Sequence, residues 1–261
     1  MNGPALEKPR ALSRAGAAAP GAVAGTGAIA AGLQKTSLID FPGRVSCVVF
    51  LAGCNFTCPY CHNPDLALGR LPRQISLDQL NSFLEERRTF LDGVVISGGE
   101  PTLDPGLAGL CRSIQSLGLA VKLDTNGSRP EVLDTLMREG LLDYIAMDLK
   151  TAPARYGSPL CPGDAGQAVR QSIRQSIRTI MEGGCDYEFR TTCLKPFVDE
   201  DGIGQMAAAI KGARRYILQR FRPDTVLSPG YFSKIDPVFS EDELTHLQRI
   251  ASPWVERCLV R

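Results

Sequence analysis

The sequence has almost no net charge, and it lacks any apolar run long enough to span a bilayer. Its 29 Lys and Arg residues are balanced by 28 Asp and Glu residues, which leaves a formal charge of +1. Because phosphate binding needs a concentrated basic patch, this balance argues against a nucleic-acid partner. The chain also lacks a clear secretory signal. We therefore expect a cytoplasmic protein with neither a nucleic-acid partner nor a membrane span.

The N-terminal segment has no aromatic residue and is rich in Ala, Gly and Pro. The stretch from Ala15 to Ala31 is apolar enough to suggest a signal-peptide core, but it has no sustained run of strong apolar residues, and Pro20 interrupts it. Such a composition buries too little apolar surface to offset the entropy of ordering. The sequence therefore predicts a disordered tail over residues 1–31 and one folded domain over residues 32–261.

Cysteine is abundant for a chain of this size, with 9 residues. An odd count without a secretory signal argues against a disulfide framework, and it favours metal ligation or catalysis. The cysteines outside the segment CNFTCPYC form no C-x2-C pair, so we expect them to be buried as small apolar side chains.

From Val45 onward, short β-rich runs alternate with helical patterns. This alternation predicts a parallel sheet with right-handed crossovers, and the number of units predicts a partial TIM-type (β/α)6 barrel. A doubly wound sheet is the weaker alternative, because no strand is followed by a G-x-G-x-x-G turn. Capping-box patterns at Ser76 and Ser240 predict helix starts, and the segment 168–181 has one apolar helical face. The β-rich runs are Val45–Leu51, Gly93–Ser97, Leu119–Asp124, Asp143–Leu149, Asp186–Thr192 and Arg215–Phe221.

The loop after the first of these runs carries three cysteines with the spacing C-x3-C-x2-C. Cys54, Cys58 and Cys61 can hold three irons of a cubane cluster and leave the fourth iron open for an exchangeable ligand. The alternative is a structural zinc site that adds His62. That site is disfavoured because His62 follows Cys61 directly and its ring is badly aimed at the same metal.

Polar residues also end the next strands, where a barrel collects its reactive groups. The segment SGGEP offers unencumbered backbone and one acid, Glu100, which suit an amino-acid-like ligand. Asp124 in DTNG and Asp148 in MDLK end adjacent strands and repel each other unless a positive charge lies between them. Lys150 or a bound cation would supply that charge.

Together the motifs resemble the glycyl-radical-enzyme activating proteins of the radical S-adenosylmethionine (SAM) superfamily. The pattern is C-x3-C-x-aromatic-C followed by HNP, then GGEP, DTNG and D-L-K. The segments GLQKTSLIDFPGRVSCVVFLAGCNFTCPYCHNPDL and VKLDTNGSRP are similar to the branch that activates anaerobic ribonucleoside-triphosphate reductase. The resemblance extends from Gly32 to about Phe221.

The resemblance implies a [4Fe–4S] cluster on Cys54, Cys58 and Cys61, with Tyr60 against the adenine of SAM. Asp124 and Asp148 match positions that surround a monovalent cation in related activases. Further positions implied to bind SAM are Gly98, Gly99, Glu100, Asp124, Asn126, Asp148, Lys150 and Arg190.

The implied reaction is one-electron reduction of SAM to methionine and a 5′-deoxyadenosyl radical, which takes hydrogen from a glycine of a partner enzyme. Asp40 matches a position near that partner's glycine loop. A flavodoxin or ferredoxin is the expected electron donor. The alternatives are an activase of another glycyl radical enzyme, a radical SAM enzyme acting on a small molecule, and a non-catalytic iron–sulfur or zinc-binding module.

Overall fold

The computed structural model describes residues 28–162 and 166–261. Residues 1–27 of the predicted tail lie outside the described residues. The predicted boundary at residue 32 is too late, because Ala28–Ala30 already form a strand that pairs antiparallel with Ile75–Ser76. Ala30 is fully buried in the core. A three-residue strand of sequence AIA gives almost no strand signal, since two of its three residues are alanine, a poor strand former.

The described chain alternates strands and helices. The strands are β1 (Ala28–Ala30), β2 (Gly32–Ser37), β3 (Ser46–Leu51), β4 (Ile75–Ser76), β5 (Gly93–Gly98), β6 (Ala120–Thr125), β7 (Tyr144–Asp148), β8 (Asp186–Cys193), β9 (Tyr216–Arg220) and β10 (Cys258–Val260). The α-helices are α1 (Pro64–Ala67), α2 (Leu77–Arg87), α3 (Leu107–Ser116), α4 (Pro130–Arg138), α5 (Gly166–Glu182), α6 (Glu200–Ala209) and α7 (Glu241–Ala251).

The main sheet has eight strands in the order β10-β9-β8-β7-β6-β5-β3-β2. Neighbouring strands from β3 to β10 pair in parallel, and only β2 is antiparallel to its neighbour. The prediction of a partial α/β barrel is confirmed, with each predicted run forming one of the strands β3, β5, β6, β7, β8 and β9. The two edge strands, β2 and β10, were not predicted.

The helices cover the outside of the sheet with the faces that the sequence predicts. Ser76 and Ser240 both cap helices through capping boxes, in which the serine hydroxyl accepts from the backbone of the residue three positions later. The long helix α5 buries Ile173, Ile177 and Ile180 against the core. Within the described residues, no helix is both long and apolar enough to cross a membrane.

The parallel arrangement decides where the polar strand ends meet. The parallel strands β3, β5, β6, β7, β8 and β9 all point their carboxyl ends to the same rim, so the loops that follow them lie side by side. The core below that rim is filled by aliphatic residues such as Val49, Ile96, Leu123 and Ile145, each fully buried. This packing gives the rim a rigid base.

Candidate active site

A cavity of about 260 Å³ opens at the carboxyl-terminal rim of the sheet. It joins the loop after β3 to the ends of β5, β6, β7 and β8. Most of the predicted site residues line it together: Cys54, Cys58, Tyr60, Cys61, Gly98, Gly99, Asp124, Asn126, Asp148, Lys150 and Arg190. Of the predicted residues, Glu100 and Asp40 lie elsewhere.

The cysteine loop is held by backbone hydrogen bonds. The amides of Gly53 and Cys54 donate to the carbonyls of Leu66 and Ala67 over 2.7 Å and 3.0 Å, and the amide of Cys61 donates to the carbonyl of Cys58 over 3.0 Å. These bonds tie the loop to α1, and all three of its cysteines line the cavity. No other cysteine of residues 28–162 and 166–261 lines this cavity.

Burial raises the pKa of the Cys54 thiol to about 11 and that of Cys58 to about 12. Without metal both groups are therefore neutral thiols near pH 7. Bound iron would supply the positive charge that keeps them as thiolates. Three cysteine thiols, two of them with pKa values raised by burial, fit an iron–sulfur cluster that is held by three cysteines.

The glycine pair in SGGEP lets two loops approach closely. A Cβ atom on Gly98 would lie 2.2 Å from the carbonyl oxygen of Leu51, and one on Gly99 would lie 2.0 Å from that of Gly53. Gly98 also adopts a φ of +123°, which other residues rarely adopt. The pair therefore fixes the distance between the cysteine loop and the end of β5.

The His62 ring is engaged by the segment that follows β9. Its Nδ1 lies 3.1 Å from the carbonyl oxygen of Thr225, and its centroid is 5.6 Å from that of Phe221. This arrangement turns one ring nitrogen toward a backbone carbonyl. It disfavours the zinc site that combined His62 with the three cysteines.

The Glu100 carboxylate lies outside the cavity. Its side chain is buried, with Oε1 accepting from the backbone amide of Thr102 and the hydroxyl of Thr125, and Oε2 accepting from the backbone amide of Asn126. Contrary to the expectation from the motif, the carboxylate is aimed at the loop after β6. It joins the ends of β5 and β6, and only the glycines of SGGEP face the cavity.

Asn126 connects this network to the cysteine loop. Its side-chain amide donates to Oδ1 of Asn55 over 3.0 Å and lies 3.8 Å from Sγ of Cys54. Asn55 in turn donates to the Ser128 hydroxyl over 2.9 Å. Sequence reasoning missed Asn55, whose only signal is its place between the first two cysteines.

Tyr60 forms the floor beside the third cysteine. The residue is buried, its ring centroid lies 5.1 Å from that of Phe197, and its hydroxyl donates to the carbonyl of Lys150 over 3.4 Å. Burial raises the pKa of Tyr60 well above its usual value. The ring is therefore a neutral, fixed surface in the cavity wall.

The two acids at the ends of β6 and β7 are paired with protein cations. Arg190 Nε donates to Oδ1 of Asp148 over 2.8 Å, and Lys150 Nζ donates to Oδ2 of Asp148 over 2.9 Å. Burial acts to raise the pKa of Asp148, but Arg190 and Lys150 outweigh it and hold that pKa well below its usual range. Arg190 also lies 3.5 Å from Asp124.

Asp40 lines a second cavity, of about 370 Å³, beside the first. Arg190 and Gln219 line both cavities, so the two are adjacent. The second cavity is lined by Ile39 and Asp40, just after β2, and by Arg261, just after β10. It therefore lies between the two edges of the open sheet.

The cysteines outside the loop do not line either cavity. As expected, most of them are buried: Cys47, Cys111, Cys161, Cys193 and Cys258. Cys185 is partly buried. Ser97, Thr192 and Gln219 line the main cavity and were not predicted. Their only sequence signal is their place at or near the ends of predicted strands.

The sequence profile of the radical SAM superfamily matches residues 48–201, which include the whole cysteine loop and every strand end from β3 to β8. A protein from Methanocaldococcus jannaschii that bears the name of a glycyl-radical enzyme activating enzyme is 33% identical over 235 residues. That alignment covers 90% of this chain and 96% of the relative. The chain belongs to the glycyl-radical enzyme activating enzymes of the radical SAM superfamily. Members of this family use a [4Fe–4S] cluster and SAM.

Three further proteins are similar to the chain, one in sequence and two in fold. The pyruvate formate-lyase-activating enzyme of Clostridium pasteurianum is 28% identical over 123 residues, covering 45% of this chain and 50% of that enzyme. Among solved structures, Streptococcus suis SuiB bound to SAM superposes with a TM-score of 0.60 at 15% identity, covering 82% of this activating enzyme and 51% of SuiB. Methylornithine synthase superposes with a TM-score of 0.55 at 14% identity, covering 82% of this chain and 63% of the synthase. The structural likeness concerns the fold.

Proposed function

We propose that this radical SAM enzyme forms a glycyl radical on anaerobic ribonucleoside-triphosphate reductase. The observation that carries the proposal is the adjacency of the two cavities. The main cavity collects the three cysteines, and the second one reaches the side of the sheet between β2 and β10. A loop of a partner protein can enter by this open side, whereas a small-molecule enzyme more often covers it.

The chain's own residues would perform the binding and positioning steps. When bound, the cluster and SAM would supply the one-electron chemistry of the reaction. Cys54, Cys58 and Cys61 would hold the cluster, and Gly98 and Gly99 offer backbone groups to the amino end of SAM. The buried ring of Tyr60 offers a flat apolar surface to the adenine.

The remaining polar residues would orient SAM and limit access of water. Lys150 and Arg190 are held in place by Asp148. Their positive charges suit the SAM carboxylate. Asn126, fixed by Asn55 and by the Glu100 carboxylate, contributes an amide next to the cluster wall. This preorganisation reduces the entropy lost when the cofactor binds.

The choice of anaerobic ribonucleotide reductase as partner is supported by the motif segments between Gly32 and Phe221. A second candidate is pyruvate formate-lyase, because the C. pasteurianum activating enzyme for that protein is similar over 45% of this chain. A flavodoxin or ferredoxin is proposed as the electron donor. Asp40, beside the open edge, is proposed to contact the incoming glycine loop.

The experiment compares the two partners directly. Purified enzyme, reconstituted anaerobically with iron and sulfide, is mixed with SAM, a reductant and either anaerobic ribonucleotide reductase or pyruvate formate-lyase. Electron paramagnetic resonance (EPR) then measures the glycyl radical on each partner. We expect a glycyl radical on the reductase and none with the Cys58→Ala enzyme. A radical on pyruvate formate-lyase alone would favour the second candidate, and none on either would overturn both.

A further inference from the structure

The carboxylates of Asp124 and Asp148 have no oxygen left without a protein partner. Oδ1 of Asp124 accepts a hydrogen bond from Lys122 Nζ, and Oδ2 accepts one from the Ser97 hydroxyl over 3.2 Å. Arg190 lies 3.5 Å from that second oxygen. Both oxygens of Asp148 accept from Arg190 and Lys150, as described above.

Lys122, the partner of Asp124, lies outside the sequence motifs from which the site was predicted. It stands two residues before Asp124 in β6, and residues i and i+2 of a strand point to the same face. The side chain of Lys122 is 1% exposed, whereas that of Asp124 is 16% exposed and lines the main cavity. Lys122 therefore lies behind Asp124, away from the solvent-filled space.

The five charged side chains form a continuous row across three strands. In space the order is Lys122, Asp124, Arg190, Asp148 and Lys150, so that cations and anions alternate. The row carries three positive and two negative charges. Without Lys122 the row would be neutral, and Asp124 would keep only its longer ion pair with Arg190.

This arrangement does not fit the monovalent cation implied at these positions. A hard cation is held by several oxygen ligands, and each hydrogen bond or ion pair that an oxygen already makes competes with its coordination. Here the carboxylate oxygens already accept hydrogen bonds from nitrogen or hydroxyl donors. An added ion beside Asp124 would also face the buried ammonium group of Lys122, and two like charges at short range in a region shielded from water repel strongly.

We propose that Lys122 takes the place of the monovalent cation in this enzyme, so that SAM binds without one. Lys122 is a positioning residue, because it acts through Asp124 and does not line the cavity. It holds the Asp124 carboxylate away from the SAM carboxylate and keeps the net charge of the row positive. The inference rests on the SAM-binding cavity and is independent of which glycyl radical enzyme is the partner.

The first measurement needs no variant. Equilibrium dialysis of labelled SAM with the reconstituted enzyme is carried out in KCl, NaCl and tetramethylammonium chloride at the same ionic strength. Tetramethylammonium is too large to enter an oxygen-lined ion site. We expect the Kd for SAM to agree within about twofold in the three salts. A Kd at least fivefold lower in KCl or NaCl would overturn the proposal.

The second measurement uses Lys122→Met, which keeps the length of the side chain and removes its charge. We expect SAM to bind this variant about tenfold more weakly in tetramethylammonium chloride. KCl or NaCl should restore part of the lost affinity for SAM, since K⁺ or Na⁺ can bind beside Asp124 once the ammonium group of Lys122 is absent. Lys122→Arg, which keeps the charge, should bind SAM in a salt-independent way.

A Lys122→Met variant that binds SAM as the unaltered enzyme does, in all three salts, would contradict the proposal. Should that variant fail to fold, the salt comparison on the unaltered enzyme still decides. The dialysis contains no partner enzyme, so its outcome is separate from the test of the proposed function. Lys211→Met serves as the matched control, because Lys211 is an exposed lysine in the turn after α6, outside the residues that line the main cavity.

Discussion

The backbone amide of Asn126 donates a hydrogen bond of 2.6 Å to Oε2 of Glu100. This bond joins two motifs that stand about 25 residues apart in the chain, SGGEP after β5 and DTNG after β6. It explains why the acid of SGGEP is buried while the glycines beside it face the cavity.

Replacing Glu100 with Gln should lower the stability of the protein. The new amide group would present its own N–H donors to the donors on Thr102, Thr125 and Asn126, so at least one buried donor would lose its acceptor. We expect a decrease of about 2 kcal/mol in the free energy of unfolding. Urea denaturation of the metal-free protein measures it. Glu139→Gln, at an exposed ion pair with Arg112, is the control and should change stability by less than about 1 kcal/mol.

Replacing Gly99 with Ala should disturb the cysteine loop. The added methyl would lie 2.0 Å from the carbonyl oxygen of Gly53, so that one of the two loops must move. We expect reconstitution to yield less than half of the normal iron content, measured by iron analysis and by the visible absorption of the cluster. Gly109→Ala in α3 is the control, because its Cβ has no neighbour within 4 Å. Full iron content in Gly99→Ala would contradict the close approach.

The alkylation of Cys54 in the metal-free protein should depend steeply on pH. Because burial raises the pKa of this thiol to about 11, only the rare thiolate reacts near pH 7. The rate with iodoacetamide should increase by roughly tenfold for each pH unit from pH 7 to pH 9 and should approach a plateau only near pH 11. Mass spectrometry of the peptide that contains Cys54 gives the rate. A plateau below pH 9 would show that the thiol is not desolvated.

Replacing Asp40 with Asn should affect glycyl-radical formation on the partner much more than the cleavage of SAM. Asp40 lines the second cavity and accepts a hydrogen bond from the Ser37 hydroxyl, so it does not contribute to the walls of the main cavity. We expect glycyl-radical formation on the partner to decrease about tenfold, while cleavage of SAM without a partner stays within about twofold. EPR measures the first, and chromatography of 5′-deoxyadenosine measures the second.

The control for Asp40→Asn is Asp134→Asn, at an exposed ion pair on α4. It should change neither quantity. Equal decreases of radical formation and of SAM cleavage in Asp40→Asn would assign Asp40 to the SAM site instead of the partner's entry.

The parallel strands β3, β5, β6, β7, β8 and β9 could be predicted because each carries β-branched or aromatic residues between turn signals. Strands β2 and β10 could not. Three residues of β2 are exposed, and β10 has only three residues. Both strands form because they cover the edges of an existing sheet, and this contribution is not visible in local sequence. The early boundary of the domain has a related cause, since β1 pairs with the distant β4 and Ala30 is held by packing and not by propensity.

The residues that line the main cavity could be predicted because parallel strands bring their carboxyl ends together. The direction in which each of these side chains points could not be predicted. Glu100 faces inward because its acceptors are met by Thr125 and Asn126 of the next strand end, a long-range relation. Lys122 was visible only as a charged residue two positions before Asp124. The alternation of a strand places both on one face, but their ion pair depends on the burial that the fold creates.

We propose above that the enzyme takes a hydrogen atom from a glycine of a partner protein. The direct measurement uses anaerobic ribonucleotide reductase labelled with glycine that carries deuterium at Cα, incubated with the reconstituted enzyme, SAM and a reductant. Mass spectrometry then determines the deuterium content of the 5′-deoxyadenosine that forms. We expect 5′-deoxyadenosine to gain one deuterium as the glycyl radical forms on the partner. A glycyl radical accompanied by unlabelled 5′-deoxyadenosine, or labelled partner left without a radical during full SAM cleavage, would contradict it.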